Sequence, residues 1–176
     1  NILVIKKKNV RNFLSEIASR FYNLKPKNII AVTGTNGKTS VADMFYQLFR
    51  LNNRPVASIG TLGIKYNNKF VKTNLTSPDT ISLHKTLNFL KKKKIENVII
   101  EASSHGLHQE RLHHINFKSA IFTNFSQDHL DYHKNMNAYL NAKLILFGKI
   151  LRKRTKIISD KDILPFKILK KISKKR

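Results

Sequence analysis

The sequence predicts an α/β fold in which a mostly parallel sheet carries helices on both faces. Short apolar runs that suit buried strands alternate with stretches whose apolar residues recur at helical spacing. A glycine-containing loop, GTNGKT, lies between the first such strand and the second helix. Hydrophobic residues make up 41% of the 176 residues and charged residues 25%, which is typical of a globular protein.

The first half of the chain contains a clear alternation of helix and strand patterns. We expect, in order, a helix at 10–22, a strand at 28–33, a helix from the loop to about 51, a strand at 55–59, and hairpin strands at 62–66 and 69–73. Asn67 and Asn68 suit the hairpin turn because asparagine tolerates positive φ.

The second half opens with a helix-start signal, Ser77-Pro78-Asp79. We expect Ser77 as the N-cap, Pro78 at the first helical position and Asp79 near the positive end of the helix dipole. The remaining expected elements are this helix to about 92, strands at 97–101 and 119–123, a helix at 135–147, a strand at 156–159 and a helix near 163–172. The basic segment 149–176 is expected to form a solvated helix face and a frayed end.

Composition restricts the classes of function. A net charge of +24 admits nucleic acid or anionic lipid as a partner. However, 26 of the 34 basic residues are lysine, and Lys, Asn and Ile make up 64 of 176 residues, which indicates drift towards AT-rich codons. Arginine, which is favoured for phosphate and base contacts, is scarce. We therefore expect no nucleic-acid partner.

The cysteine content and the lengths of the apolar runs exclude further kinds of site and of protein. The absence of cysteine excludes disulfides, cysteine-zinc sites and cysteine nucleophiles. No apolar run approaches 18 residues, so no membrane span is predicted. We expect a cytoplasmic monomer without a membrane partner.

The strongest local signal is the loop at residues 34–39, which stands between a predicted strand and a helix as a P-loop does. Its glycines let the backbone approach phosphate, and the amides at the helix N-terminus point at the anion. Lys38 supplies charge to the terminal phosphates, and Thr39 can offer its hydroxyl to Mg²⁺. The strict pattern requires glycine where Val32 stands, so the loop is a variant. The alternative is an ordinary glycine turn.

Other candidates depend on spacing. Glu101 ends a predicted strand, where a carboxylate can reach a nucleotide-bound metal or can simply face solvent. His129 and His133 are spaced i, i+4, as on a metal-binding helix face, which admits a zinc site although no third ligand is evident. Lys143 lies four residues after Tyr139 and shares its helical face. Spacing alone predicts that Lys143 is a solvated surface charge.

Three further histidines, His108, His113 and His114, are expected to be surface or hydrogen-bonding residues.

Five motifs in order, TGTNGKTS, LTSPDT, EASSHGL, TNFSQDHLDYH and YLNAKLILF, resemble the central domain of the Mur ligases over residues 10–160. SSHGL and DHLDYH are most similar to the branch that makes the tripeptide precursor of peptidoglycan. The resemblance implies that residues 1–25 are the end of a UDP-binding domain with its linker helix. Residues 26–176 would be a truncated central ATP-binding domain, without the C-terminal ligase domain. We therefore expect a fragment that is inactive alone.

The resemblance also implies a reaction. ATP would phosphorylate the D-glutamyl carboxylate of UDP-N-acetylmuramoyl-L-alanyl-D-glutamate, and the amine of a diamino acid, preferably meso-diaminopimelate, would attack the acyl phosphate. The cofactors would be ATP and Mg²⁺, and the partners small-molecule substrates. Rival interpretations are a folylpolyglutamate synthetase-like ligase and a basic nucleic-acid-binding P-loop module. Folylpolyglutamate synthetases usually carry a small residue where this chain has Thr39.

Site residues are carried over from the resemblance by matching motif positions. The residues implied to bind ATP are Gly34, Thr35, Asn36, Gly37, Lys38, Thr39 and Ser40. Thr39 and Glu101 would bind one Mg²⁺, and His129 a second. Lys143 matches a carbamylated lysine (N6-carboxylysine) that also binds metal, and Lys38, His129 and Lys143 would be catalytic. The residues implied to bind the muramoyl peptide are Thr76, Ser77, Ser103, Gln109 and Arg111, with Arg111 as the partner of its carboxylate.

Overall fold

The computed structural model describes residues 4–175. Its elements along the chain are α1 (Val10–Phe21), β1 (Asn28–Thr33), α2 (Lys38–Leu51), β2 (Val56–Gly60), β3 (Gly63–Tyr66), β4 (Lys69–Val71), α3 (Thr80–Lys92), β5 (Asn97–Glu101), α4 (Ser104–His108), β6 (Ser119–Phe122), α5 (Leu130–His133), α6 (Met136–Ile145), β7 (Lys156–Ser159) and α7 (Phe166–Lys174). A π-helical turn at Leu146–Ile150 extends α6. No helix within the described residues is long and apolar enough to cross a membrane.

The strands of residues 4–175 form one sheet in the order β4-β3-β2-β5-β1-β6-β7. The neighbouring strands β2, β5, β1, β6 and β7 are parallel to one another. Strand β3 pairs antiparallel with β2, and β4 pairs antiparallel with β3. The predicted mostly parallel sheet is therefore confirmed. The hairpin turn is also as expected, since Asn67 and Asn68 have φ of 44° and 61°.

Alternate residues of β1 separate two apolar clusters, one on each face of the sheet. Ile29 and Ala31 belong to the larger cluster, which includes leucines of α3 and the buried Leu169 of α7. Val32 belongs to the smaller cluster, with Ala42 of α2. Helices therefore cover both faces, as the sequence predicts.

The predicted start of α3 is wrong in one respect. Asp79 is the N-cap, and its carboxylate accepts a hydrogen bond of 2.9 Å from the backbone N–H of Ser82. Ser77 is buried, and its hydroxyl donates instead to the carbonyl of Glu101 at 2.9 Å. Because that hydroxyl is engaged by the end of β5, the next polar side chain along the chain caps the helix.

Helix bounds near the C-terminus also differ from expectation. The single helix expected at 135–147 is α6 with its π-helical turn, and a short α5 precedes it. The last helix begins at Phe166 and ends at Lys174, a few residues later than expected.

Helix α1 is joined to the body by polar contacts. Ser15 is buried and its hydroxyl donates to the carbonyl of His113 at 2.9 Å. The Asn12 amide lies 2.7 Å from Nδ1 of His113 and 3.2 Å from Nε2 of His114. These two histidines are hydrogen-bonding residues, as predicted.

Two helical glycines give a matched test of packing. A Cβ at Gly106 would lie 2.6 Å from Cβ and 2.7 Å from Oγ of the buried Ser77, whereas a Cβ at Gly148 would meet nothing within 4 Å. We expect Gly106→Ala to lower the free energy of unfolding by about 1–3 kcal/mol, the typical cost of overpacking. Gly148→Ala should leave it unchanged or raise it by up to about 1 kcal/mol. Urea unfolding measures both, and equal stability of the two variants would contradict the close approach of α4 to Ser77.

Candidate functional site

The carboxyl ends of the parallel strands meet at one edge of the sheet, where α/β proteins bind ligands. The loops after β1, β2 and β5 line a cavity of about 290 Å³ at this edge. Its lining residues are Thr35, Asn36, Gly37, Lys38, Thr39, Ser40, Thr61, Thr76, Ser103, Ser104, His129 and Lys143. The structure therefore brings most of the predicted site residues together.

A larger and more open groove of about 630 Å³ lies elsewhere, between α2 and the β3–β4 hairpin. It contains the Asp43–Lys65 ion pair, whose atoms are 2.6 Å apart, and none of the predicted site residues. Chemistry-bearing groups converge in the smaller cavity, so that cavity is the candidate site.

The loop after β1 has the shape of a phosphate-binding loop. Gly37 caps α2 with a φ of 81°, a left-handed conformation that favours glycine. A Cβ on Gly34 would overlap the side chain of Thr123, so the loop approaches that residue closely. The Nζ of Lys38 folds back to donate to the carbonyls of Gly34, at 3.0 Å, and Thr35, at 2.7 Å. Burial lowers the pKa of Lys38, against the raising effect of Glu101 and Asp128.

The segment after β6 braces this loop. Asn124 accepts hydrogen bonds from the backbone N–H of Thr35 at 3.0 Å and of Asn36 at 2.8 Å. The Thr123 hydroxyl donates to the carbonyl of Asn36 at 2.6 Å. The buried Thr35 hydroxyl donates to the carbonyl of Ser126 at 3.1 Å. Thr123 and Asn124 were not among the predicted site residues, although they stand at the end of a predicted strand and open the motif TNFSQDHLDYH.

Glu101 ends β5 beside the loop strand, with Val32 of β1 as its register partner. It is only 2% exposed, so the alternative of a solvent-facing carboxylate is wrong. Its Oε2 accepts from the Thr39 hydroxyl at 2.9 Å and the Thr61 hydroxyl at 3.1 Å. Its Oε1 accepts from the Thr61 backbone N–H at 3.1 Å. The buried Glu101 carboxylate therefore contacts Thr39 of the loop directly.

Lys143 is 1% exposed, so the surface charge predicted from spacing alone is wrong. Its Nζ donates to the carbonyl of Gly34 at 2.6 Å and lies 4.3 Å from the centre of the Tyr139 ring, as their shared helical face predicts. Burial, together with the charge of Lys38, lowers the pKa of Lys143 to about 7. Near neutral pH a large fraction of this buried amine is uncharged.

The histidine pair does not form the expected helical metal face. His129 precedes α5 with a φ of 52°, and His133 is the last residue of that helix. Burial and the neighbouring His105 lower the pKa of His133 to about 4. Among residues 4–175 no group of three or more His, Cys, Asp or Glu side chains could hold a metal ion, so the zinc alternative lacks its ligands. His108 forms a hydrogen bond of 3.0 Å with the Tyr132 hydroxyl, so it is a hydrogen-bonding residue, as predicted.

The residues expected to contact the peptide substrate form a network. The Arg111 guanidinium donates to the carbonyl of Ser77 at 2.8 Å and to Oε1 of Gln109 at 2.5 Å. The hydroxyls of Ser77 and Ser103 are 3.0 Å apart. Thr76 lies outside this network, with its hydroxyl 3.0 Å from that of Thr61.

A known protein family and its curated relatives match most of this chain, including the residues of the candidate site. The sequence profile of the Mur ligase middle domain matches residues 32–176. The UDP-N-acetylmuramoyl-L-alanyl-D-glutamate--2,6-diaminopimelate ligase of Wigglesworthia glossinidia brevipalpis is 45% identical over 175 residues, which are 98% of this chain and 35% of that protein. The protein of the same name from Rickettsia felis is 46% identical over 154 residues, 85% of this chain and 29% of that protein. The chain thus spans about a third of the length of these relatives.

Solved structures give the same fold. A UDP-N-acetylmuramoyl-L-alanyl-D-glutamate--2,6-diaminopimelate ligase superposes with a TM-score of 0.79 at 30% identity, covering 94% of this chain and 33% of that one. E. coli FolC in complex with DHPP and ADP superposes with a TM-score of 0.70 at 15% identity, covering 100% of this chain and 47% of that one. At that identity the second similarity shows the fold alone.

The burial of Lys143 makes the free energy of unfolding depend on pH. Its pKa is about 7 in the folded chain and 10.5 ordinarily, so between these values the unfolded chain binds more protons. The free energy of unfolding therefore rises with pH across this window. We expect the stability of the wild-type chain to rise from pH 7 to 10 relative to that of Lys143→Met, as measured by urea unfolding. Parallel curves for the two chains would show that the amine is not held in a low-pKa environment.

Proposed function

Because the chain belongs to the Mur ligase family, we propose that it is the nucleotide-binding part of an ATP-dependent amide-forming ligase. The observation that carries this proposal is the buried Glu101 carboxylate, hydrogen-bonded to Thr39 where a P-loop enters its helix. The relatives' names support UDP-N-acetylmuramoyl-L-alanyl-D-glutamate and a 2,6-diaminopimelate as the joined substrates. The reaction would form an acyl phosphate on the D-glutamyl carboxylate, which the diamino acid then attacks.

The loop and Lys38 are suited to the phosphates of ATP. Residues 34–40 lead into the N-terminus of α2, where backbone amides and the helix dipole favour anions. Lys38 already lines the cavity, and its ammonium group donates hydrogen bonds to two carbonyl oxygens of the loop. A phosphate in the cavity would offer this charge a stronger, ionised partner.

The residues present fit a Mg²⁺ ion. The Thr39 hydroxyl and the Glu101 carboxylate are 2.9 Å apart, and both are oxygen donors of the kind that Mg²⁺ prefers. Mg²⁺ commonly takes only one or two protein ligands and completes its shell with water and phosphate. The ion would neutralise phosphate charge, while Glu101 and Thr39 hold it beside the loop. His129 lines the same cavity and is our candidate ligand for a second ion.

Lys143 is suited to carbamylation. Its low pKa leaves much of the amine neutral near pH 7, which is the form that attacks carbon dioxide. The nitrogen forms a bond to the carbon, one proton is released, and a carbamate anion results. This anion would replace a positive charge beside Lys38 by a negative one, and its remaining N–H can still donate to the Gly34 carbonyl.

The remaining assignments follow from the substrates. Arg111, held by Ser77 and Gln109, would pair with a carboxylate of the muramoyl peptide. Thr76 and Ser103 line the nucleotide cavity and would contact the same substrate. UDP-linked precursors and ATP support a cytoplasmic protein with small-molecule partners. A folylpolyglutamate synthase/dihydrofolate synthase shares the fold at 15% identity, whereas the diaminopimelate ligase of Wigglesworthia glossinidia brevipalpis is 45% identical.

The first test of this proposal is nucleotide binding. Lys38→Ala should weaken binding of a non-hydrolysable ATP analogue about tenfold or more, since it removes a charge-assisted contact worth about 1.5–3 kcal/mol. The matched control is Lys118→Ala, because Lys118 is exposed just before β6, at the opposite edge of the sheet. Isothermal titration calorimetry measures both. Equal losses for the two variants, or no binding by the wild-type chain, would contradict the nucleotide site.

The second test concerns the carbamate. In ¹³C-bicarbonate near neutral pH, the wild-type chain should give a ¹³C carbamate resonance that is absent from Lys143→Ala. Lys25→Ala is the matched control, since burial lowers the pKa of Lys25 only to about 8 and Lys25 lies outside the cavity. A carbamate signal that survives in Lys143→Ala, or no signal in the wild type, would assign Lys143 a purely structural role.

A further inference from the structure

We propose that Thr61 is a positioning residue that holds the Glu101 carboxylate in the orientation required to bind a divalent cation. This inference rests on the nucleotide site proposed above and deepens it. Thr61 directly follows β2, and its side chain lines the candidate cavity.

Thr61 contacts both oxygens of the carboxylate. Its backbone N–H donates to Oε1 of Glu101 and its hydroxyl donates to Oε2, each at 3.1 Å. Two donors from one residue fix the plane of the carboxylate as well as its position. Gly60 permits this approach, because a Cβ there would overlap the Glu101 carboxylate.

Thr61 differs from the other donor to Glu101. The Thr39 hydroxyl also donates to Oε2, at 2.9 Å, but Thr39 is itself a candidate metal ligand. The contacts of Thr61 therefore serve to hold the Glu101 carboxylate in place. We assign Thr61 no contact with the metal.

The Thr61 hydroxyl also connects Glu101 to Thr76, whose hydroxyl is 3.0 Å away. A hydroxyl has one proton, and that of Thr61 goes to Glu101. Thr76 is then the donor of the second bond, so the two threonines form a chain that ends on the carboxylate. Such a chain strengthens each of its hydrogen bonds.

Three substitutions separate positioning from folding. Thr61→Val removes the hydroxyl at nearly constant shape and keeps the backbone N–H, whereas Thr61→Ser keeps both donors. Thr73→Val is the matched control, since it removes a threonine hydroxyl that donates to the Leu75 carbonyl, and Thr73 lies between β4 and α3, outside the candidate cavity. Because Thr61 is exposed and Thr73 is only half-buried, none of these changes should prevent folding, and thermal unfolding verifies this.

The readout is the Kd of a non-hydrolysable ATP analogue, measured with excess MgCl₂ and again with EDTA. We expect Thr61→Val to weaken binding about tenfold in Mg²⁺, equivalent to about 1.4 kcal/mol, and to leave binding in EDTA unchanged. Thr61→Ser and Thr73→Val should keep the wild-type ratio of the two constants.

Two contrary results are distinguishable. If the wild-type chain binds the analogue more tightly with Mg²⁺ and Thr61→Val shows the same ratio, the positioning role is wrong while the proposed function stands. If the wild-type chain binds no nucleotide, or gains nothing from Mg²⁺, the proposed metal site and this inference fail together. An equal loss by Thr61→Val in Mg²⁺ and in EDTA would also overturn the positioning role.

Discussion

One carbonyl oxygen holds two lysine side chains at the centre of this site. The backbone oxygen of Gly34 accepts from Nζ of Lys38 at 3.0 Å and from Nζ of Lys143 at 2.6 Å. Two ammonium groups this close repel each other, at a cost of several kcal/mol in a partly buried site. Burial lowers the pKa of both amines, and the charge of Lys38 contributes to lowering that of Lys143 to about 7, so the repulsion is reduced. A bound polyphosphate or a carbamate on Lys143 would relieve it by adding negative charge, so the geometry favours anions in this cavity.

Glu101 joins the loop that we propose binds nucleotide to the residues that we propose bind the peptide substrate. Its side chain accepts from Thr39 and Thr61, and its backbone carbonyl accepts from the Ser77 hydroxyl at 2.9 Å. Arg111 in turn donates to the carbonyl of Ser77. The residues assigned to metal and to peptide substrate are thus fixed to one strand end. Such fixed positions would suit the phosphoryl transfer that we propose, in which catalysis consists mainly of positioning and charge neutralisation.

The fold could be predicted almost entirely from sequence because its signals are local. Apolar runs predicted β1 and β5, and the loop between β1 and α2 indicated the edge of the sheet where the candidate site lies. Local signals failed where a distant contact decides. Ser77 reads as a helix cap, yet its hydroxyl is engaged at the end of β5. His129 and His133 have helical spacing, yet the backbone at His129 is left-handed.

Lys143 shows most clearly why the site could be predicted only in part. On a helix, spacing sets which face a side chain occupies, but it does not say what covers that face. Here the Gly34 carbonyl and the Tyr139 ring enclose the amine, and both contacts depend on how α6 packs near the loop. Thr61, Thr123 and Asn124 were not predicted as site residues for a different reason: Thr61 belongs to no motif, and Thr123 and Asn124 open the motif TNFSQDHLDYH without a role that their residue type suggests. They share a position instead, at or just after the carboxyl end of a parallel strand. Position relative to the sheet edge therefore identifies supporting residues that motif spacing does not.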